Sequence, residues 1–250
     1  MADGARAPRV VIIGAARVLT TGNFQEPATP GVRNRFIDES DCVIRMNNIK
    51  NGGMPGLGHK TDILAMTNVG PPGLRYATRS WLDHPIVRDV PEIWFGTAAE
   101  VFGSGPEAPP VEENYAPRIV ERQGWQDRDW KYIPRDVSRD MRDRLLELSP
   151  SSKLPSLGLR VIANVHADGR FADHEIYLLG FGFQGAAVHD FDAEQAAVME
   201  FVARGRIRTM PGCPAGRWFP HKLASHVARI HWKTRHRTHW KRLSGRAAQG

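Results

Sequence analysis

Residues 9–14, Arg-Val-Val-Ile-Ile-Gly, hold an unbroken run of four β-branched residues, 10–13, closed by glycine. A strand with one wet face alternates apolar and polar side chains. This run does not alternate, so it is predicted to be covered on both faces. Strands of that kind belong to parallel sheets flanked by helices, and the rest of the chain follows suit. Strand candidates at 42–46, 61–66, 91–95, 130–133, 175–180 and 206–210 alternate with helical patterns at 74–82, 137–148, 156–166 and 192–204. The predicted fold class is α/β, a single three-layer domain with a mainly parallel, Rossmann-like sheet. With 250 residues, no internal repeat and no linker-like cut, the chain divides into a disordered N-terminus (1–8), one domain (9–216) and a basic C-terminal helix and tail (217–250).

A hydrophobic content of 41% and a charged content of 24% describe an ordinary globular protein. Neither the first residues nor any apolar run has the length of a signal core or a membrane span, so the expected location is the cytoplasm. The net charge of +7 is uneven, with basic residues crowded between 217 and 246. Over 219–243 they surround a short apolar stripe (Leu223, Val227, Ile230) and two rings (Trp232, Trp240). That pattern fits a helix lying on an anionic membrane, peripheral to the inner membrane, and equally one packed on the domain with a solvated basic face. Nucleic acid ranks below both, because no aromatic nucleic-acid motif accompanies the charge. Cys42 and Cys213 lack metal or redox spacing. The tail histidines (His221, His226, His231, His236, His239) lack acidic or thiol partners, so no metal site is expected.

In a parallel sheet, ligands bind beyond the carboxyl ends of the strands, which is where Gly14 falls. A glycine there lets the backbone approach a ligand closely. The sequence after it is neither Gly-x-Gly-x-x-Gly nor a Walker loop, which disfavours nicotinamide cofactors and ATP. Asn47-Asn48, past the 42–46 strand, offer amides to a ribose or pyrimidine edge, or simply form a turn. In Leu154-Pro-Ser156-Leu-Gly158, Pro and Ser open a helix whose first amides bind phosphate or carboxylate, or merely cap it. His189 precedes a helix and Glu194 lies five residues on. A neutral imidazole there can serve as a general base, though such a pair taken alone is more often structural, and Glu194 complements the helix dipole or orients the histidine.

In combination these segments resemble family 29 glycosyltransferases, the sialyltransferases. Residues 10–62, with the glycine loop, Ile37-Asp38, Asp41-Cys-Val-Ile-Arg45-Met46-Asn47 and Gly58-His-Lys60-Thr61, are similar to the large sialyl motif. Pro155-Ser156-Leu-Gly158, followed by Ile176-Tyr-Leu-Leu-Gly-Phe181, is similar to the small motif, and His189-x4-Glu194 to the very short one. The resemblance implies a variant GT-A fold and an inverting transfer without metal or other cofactor. The donor would be a CMP-activated acidic sugar, sialic acid or Kdo, and the acceptor a glycan or lipid-linked hydroxyl. It further implies that Gly14, Ala15, Asn23, Asn47, Ser156 and Gly158 hold the donor nucleotide, with His189 as base and Glu194 beside it. Arg45, Lys60 and Tyr177 are candidates for meeting the departing phosphate or the acceptor. The chain departs from the family in lacking the inter-motif cysteines and a separate His-aromatic-aromatic-acid motif, for which His189-Asp-Phe-Asp192 is the nearest match. Relatives with this motif set are also labelled urease-operon accessory proteins, which makes a nucleotide-binding accessory role the alternative.

Overall fold

The computed structural model describes residues 6–14, 30–49, 56–78, 85–96, 114–151, 154–181, 183 and 188–208. All of them lie in one compact unit, Met1–Gly216. The predicted basic helix at 219–243 lies outside the described residues. In chain order the elements are β1 (Arg9–Ile13), α1 (Pro30–Asp38), β2 (Cys42–Met46), β3 (Ile63–Met66), α2 (Gly70–Thr78), α3 (Pro85–Arg88) and β4 (Glu92–Phe95). They continue as α4 (Ala116–Gln123), β5 (Asp129–Tyr132), α5 (Arg135–Leu148), α6 (Leu157–Ala167), β6 (Glu175–Leu179), α7 (Phe191–Ala203) and β7 (Ile207–Arg208). No described helix is long and apolar enough to cross a membrane.

The sheet has seven strands in the order β5-β4-β3-β2-β1-β6-β7, and every pairing is parallel. The chain winds outward from β1 to β5, then returns to the far side of β1. Right-handed crossovers in opposite directions place their helices on opposite faces. Leu64, Met66, Ile93 and Phe95 accordingly pack on α2 and α4, while Val11, Val43 and Leu179 pack on Ile37 of α1. On the other face α5, α6 and α7 pack on one another, and Trp94 meets Phe171 edge-on at 6.4 Å. All five residues of β1 are buried, as its sequence predicts. The α/β class, the single three-layer arrangement and the parallel sheet are those expected.

Four helices differ from expectation. The first, α2, begins at Gly70 rather than 74, because Pro71 and Pro72 occupy its first turn, where a missing N–H leaves no bond unmade. The others, α1, α3 and α4, have no counterpart among the helical patterns, and the reason is plainest in α4. Its apolar face is only Ala116, Ile119 and Val120, and Gly124 ends it in the left-handed region at φ 67°. The N-terminus differs too. Pro8 O accepts from Glu175 N (2.8 Å) and Arg6 donates to Glu39 O (2.8 Å), so residues 6–8 are tied to the domain.

At the amino edge, Glu92 opens β4 and gathers Arg170 (2.9 and 3.1 Å), Lys131 Nζ (2.6 Å) and the Trp94 indole (2.5 Å). Burial raises its proton affinity, but these donors outweigh burial and hold the carboxyl at about 2. A depressed carboxyl stabilises the fold above its unfolded value near 4.5, and that contribution disappears as pH falls towards 2. Glu92→Gln is expected to cost about 1–3 kcal/mol at pH 7. The gap from wild type should narrow on acidification from pH 5 to 2, as read by denaturant unfolding. A gap independent of pH would rule the network out as its source.

Candidate active site

The direction of winding reverses between β1 and β6, and in sheets of this kind a crevice beyond the carboxyl ends at that point is the expected ligand site. Gly14 N–H continues the ladder to Leu179 O (2.7 Å). A Cβ on Gly14 would stand 2.4 Å from Gly180 O, so only glycine fits between the two strand ends. Beyond Gly180, Phe181 is buried against the first turn of α6, where a Cβ on Gly158 would lie 3.1 Å from its ring. The switch point and the α6 entrance therefore form one continuous surface.

Ser156 caps α6, its Oγ accepting from Leu159 N (3.3 Å). The same residue donates twice to Glu194, from N to Oε1 and from Oγ to Oε2, both at 2.6 Å. Glu194 is buried in the first turn of α7, which Asp190 caps by accepting from Ala193 N (3.1 Å). Ser149 donates to the other Asp190 oxygen (2.7 Å) and ties the end of α5 to this corner. Ser156 is therefore committed within the protein. In this turn the main-chain amides of Leu157 and Gly158 have no carbonyl one turn back, the usual situation at a helix start.

His189 lies 2.8 Å from Leu154 O through Nδ1. A carbonyl only accepts, so Nδ1 carries the proton and Nε2 keeps a lone pair. The ring is half-buried and rests edge-on to Phe191 at 5.6 Å. Burial holds its proton affinity below the ordinary histidine range; the Leu154 bond opposes this and the Arg160 charge adds to it. Glu194 Oε1 is 4.0 Å from Nδ1, beyond a hydrogen bond. Glu194 thus fixes the 154–156 segment on which the imidazole leans, rather than the imidazole itself. Burial pushes the Glu194 carboxyl up to about 7, against the Ser156 bonds and the Arg160 charge.

Arg160 is a residue that the sequence patterns did not single out. It is buried in α6, donates to Gly96 O (2.5 Å) and lies 3.4 Å from Ser156 O, so it joins α6 to the carboxyl end of β4. Burial lowers its pKa to about 10, opposed by Glu194. An arginine in the otherwise apolar run Leu-Gly-Leu-Arg-Val-Ile was the available signal.

Asn47 stands just past β2 with φ 53°, a left-handed conformation that asparagine tolerates. Its Oδ1 accepts from Thr67 N (3.0 Å), leaving the Nδ2 donors unpaired with any described residue. The turn and the offered amide thus coexist. Gly14, Gly158, Ser156, Glu194 and His189 form a connected group, and Asn47 stands on the strand next to β1. Arg45 is buried and turned onto Leu57 O (2.7 Å), Lys60 O (3.1 Å) and Thr61 Oγ1 (2.9 Å). Lys60 Nζ reaches Ser40 O (2.6 Å), and Tyr177 donates to Glu175 (2.8 Å); both contacts are at the amino edge, away from the crevice. These three side chains are engaged elsewhere. Ala15 and Asn23 lie outside the described residues. Among the described residues no three His, Cys, Asp or Glu side chains are grouped as a metal site.

No protein-family model matches the chain. A urease operon 23 kDa accessory protein of Rhizobium meliloti (strain 1021) is 29% identical over 184 residues, 70% of this chain and 84% of that protein. Among solved structures, the sialyltransferase CstII from Campylobacter jejuni in complex with the substrate analogue CMP-3FNeuAc superposes with a TM-score of 0.50 at 16% identity, over 84% of this chain and 83% of that one. The monofunctional α-2,3-sialyltransferase Cst-I from the same organism gives 0.50 at 13% identity, over 85% and 80%. An α-2,3-sialyltransferase from Campylobacter jejuni in apo form gives 0.50 at 14% identity, over 86% and 79%. At these identities the likeness is one of architecture, and the chain has the α/β fold of these sialyltransferases.

Proposed function

We propose that this protein is an inverting, metal-independent glycosyltransferase of the family 29 type. It transfers an acidic sugar, sialic acid or Kdo, from a CMP-sugar to a hydroxyl of a glycan or glycolipid. Nε2 of His189 takes the proton from the acceptor hydroxyl. That oxygen forms a bond to the anomeric carbon from the face opposite the phosphate, and the carbon–phosphate-oxygen bond breaks. CMP leaves with the bonding pair, and the configuration inverts. Its negative charge is met by the Leu157 and Gly158 amides at the start of α6. The nucleotide lies over Gly14, with Asn47 Nδ2 as a donor to it.

The observation that supports the reading is the contact of His189 Nδ1 with Leu154 O, which holds the proton on Nδ1 and leaves Nε2 basic. A positioned base of this kind contributes about 10²–10⁴-fold in rate. Thermal denaturation with cytidine, uridine, adenosine and guanosine monophosphates tests the ligand class. A rise in Tm with CMP alone, unchanged by EDTA, is expected, followed by CMP release from CMP-sialic acid or CMP-Kdo in the presence of an acceptor. Stabilisation by a purine nucleotide, or only with a divalent ion, would overturn it.

A second reading has one observation in its favour, the urease operon accessory protein among the relatives. In that case the crevice retains nucleotide binding without transfer, and CMP raises Tm while no CMP-sugar is consumed.

A further inference from the structure

A second polar group stands at the carboxyl edge, over the ends of β3 to β5. Asn68, two residues past β3, is fully buried and donates from Nδ2 to Asn114 Oδ1 (2.7 Å). Asn114 in turn donates from Nδ2 to the Tyr132 hydroxyl oxygen (2.6 Å). The sense of this chain is set by the backbone. Ala116 N–H also donates to Asn114 Oδ1 (3.0 Å), and an N–H cannot accept, so that atom must be the oxygen. The Tyr132 oxygen therefore receives a donor, and its own proton is directed elsewhere. Among the described residues none accepts it. The ring is held between Phe95 and Trp130, each with its centroid 6.2 Å away, so the direction of the hydroxyl is fixed in advance.

The position of this group matters as much as its chemistry. Thr67, the neighbour of Asn68, is the residue that binds Asn47 Oδ1. Gly96 N–H bonds Met66 O (2.9 Å) and Ile133 N–H bonds Phe95 O (2.8 Å), so the ends of β3, β4 and β5 stand side by side. Arg160 reaches Gly96 O from the helix that carries Ser156. The backbone at Tyr132 is thus about one strand spacing, ~4.8 Å, from the strand end that α6 touches, with its ring on the α2 and α4 face of the sheet. On the CMP-sugar reading, a ligand with its nucleotide at Asn47 would extend past Asn68 towards Tyr132. Packing alone does not account for the phenol, since phenylalanine would fill the same space, and Asn114 caps Ala116 without it.

We propose that Asn114 and Tyr132 are a saccharide-recognition pair, in which the Tyr132 O–H donates to an oxygen of the sugar carried by the nucleotide and Asn114 sets its direction. The inference rests on the CMP-sugar reading above and adds the residues that distinguish the sugar from the nucleotide. Isothermal titration of the full chain with CMP and with CMP-3-fluoro-N-acetylneuraminic acid tests it. Tyr132→Phe keeps the ring contacts and should melt as wild type does. It is expected to bind the fluoro-sugar about 3–10-fold more weakly, the loss of one hydrogen bond, with CMP affinity unchanged. Asn114→Ala should shift the fluoro-sugar in the same direction. Equal affinity of Tyr132→Phe and wild type for the fluoro-sugar, or equal weakening of both ligands, would overturn the pair. A wild-type chain that binds neither ligand would instead overturn the CMP-sugar reading and this inference with it.

Discussion

His189→Ala is expected to lower the rate of CMP release from a CMP-sugar by about 10²–10⁴-fold, with CMP affinity unchanged. The imidazole rests on Leu154 O and Phe191 and touches none of the groups assigned to the nucleotide, so its removal takes away the proton acceptor and leaves the crevice intact. The pH profile gives a second readout. The base acts only when neutral, and burial keeps its pKa below the ordinary 6.5, so kcat/KM should fall with acid only below that value and be flat above it. Turnover by His189→Ala at the wild-type rate would exclude the mechanism. CMP binding by wild type without any turnover would favour the accessory reading.

The first strand was legible because burial on both faces demands a continuous apolar run, which 10–13 has, and 42–46 is apolar apart from Arg45. The start of α6 was legible because Ser156 does what a capping residue does, while the cap of α7, Asp190, was not singled out. Helix α4 was not, since Pro117 and the charged residues after it leave only three buried positions in eight. At the site, the residue types were legible and their partners were not. Spacing placed Glu194 five residues after His189, but not the return of the 154–156 segment that captures its carboxylate. Lys60 and Tyr177 lie in motif segments, yet strand position does not reveal which end of the sheet a long side chain reaches. Asn68 follows a short apolar strand much as Asn47 does, a repetition visible only once both strand ends are known to be neighbours.

Glu194→Ala is expected to lower stability by about 2–4 kcal/mol at pH 7 and to abolish turnover as well. The substitution removes two 2.6 Å acceptors at once, leaves the Ser156 amide without its partner and strips the buried Arg160 of its opposing charge. Turnover is lost because Leu154, two residues from Ser156, is the rest on which His189 leans. Glu194→Gln separates the two effects. Its amide oxygen still accepts from Ser156 N, and its nitrogen can donate to Oγ, so the segment stays in place with a smaller penalty. The sign with pH follows from a folded carboxyl raised to about 7 against an unfolded value near 4.5: the native state binds the extra proton, and stability falls as pH rises between those values. Wild type should show that fall in denaturant titrations and Glu194→Gln should not. A Glu194→Ala variant as stable and as active as wild type would mean that His189 is positioned by something other than the clamp at Ser156.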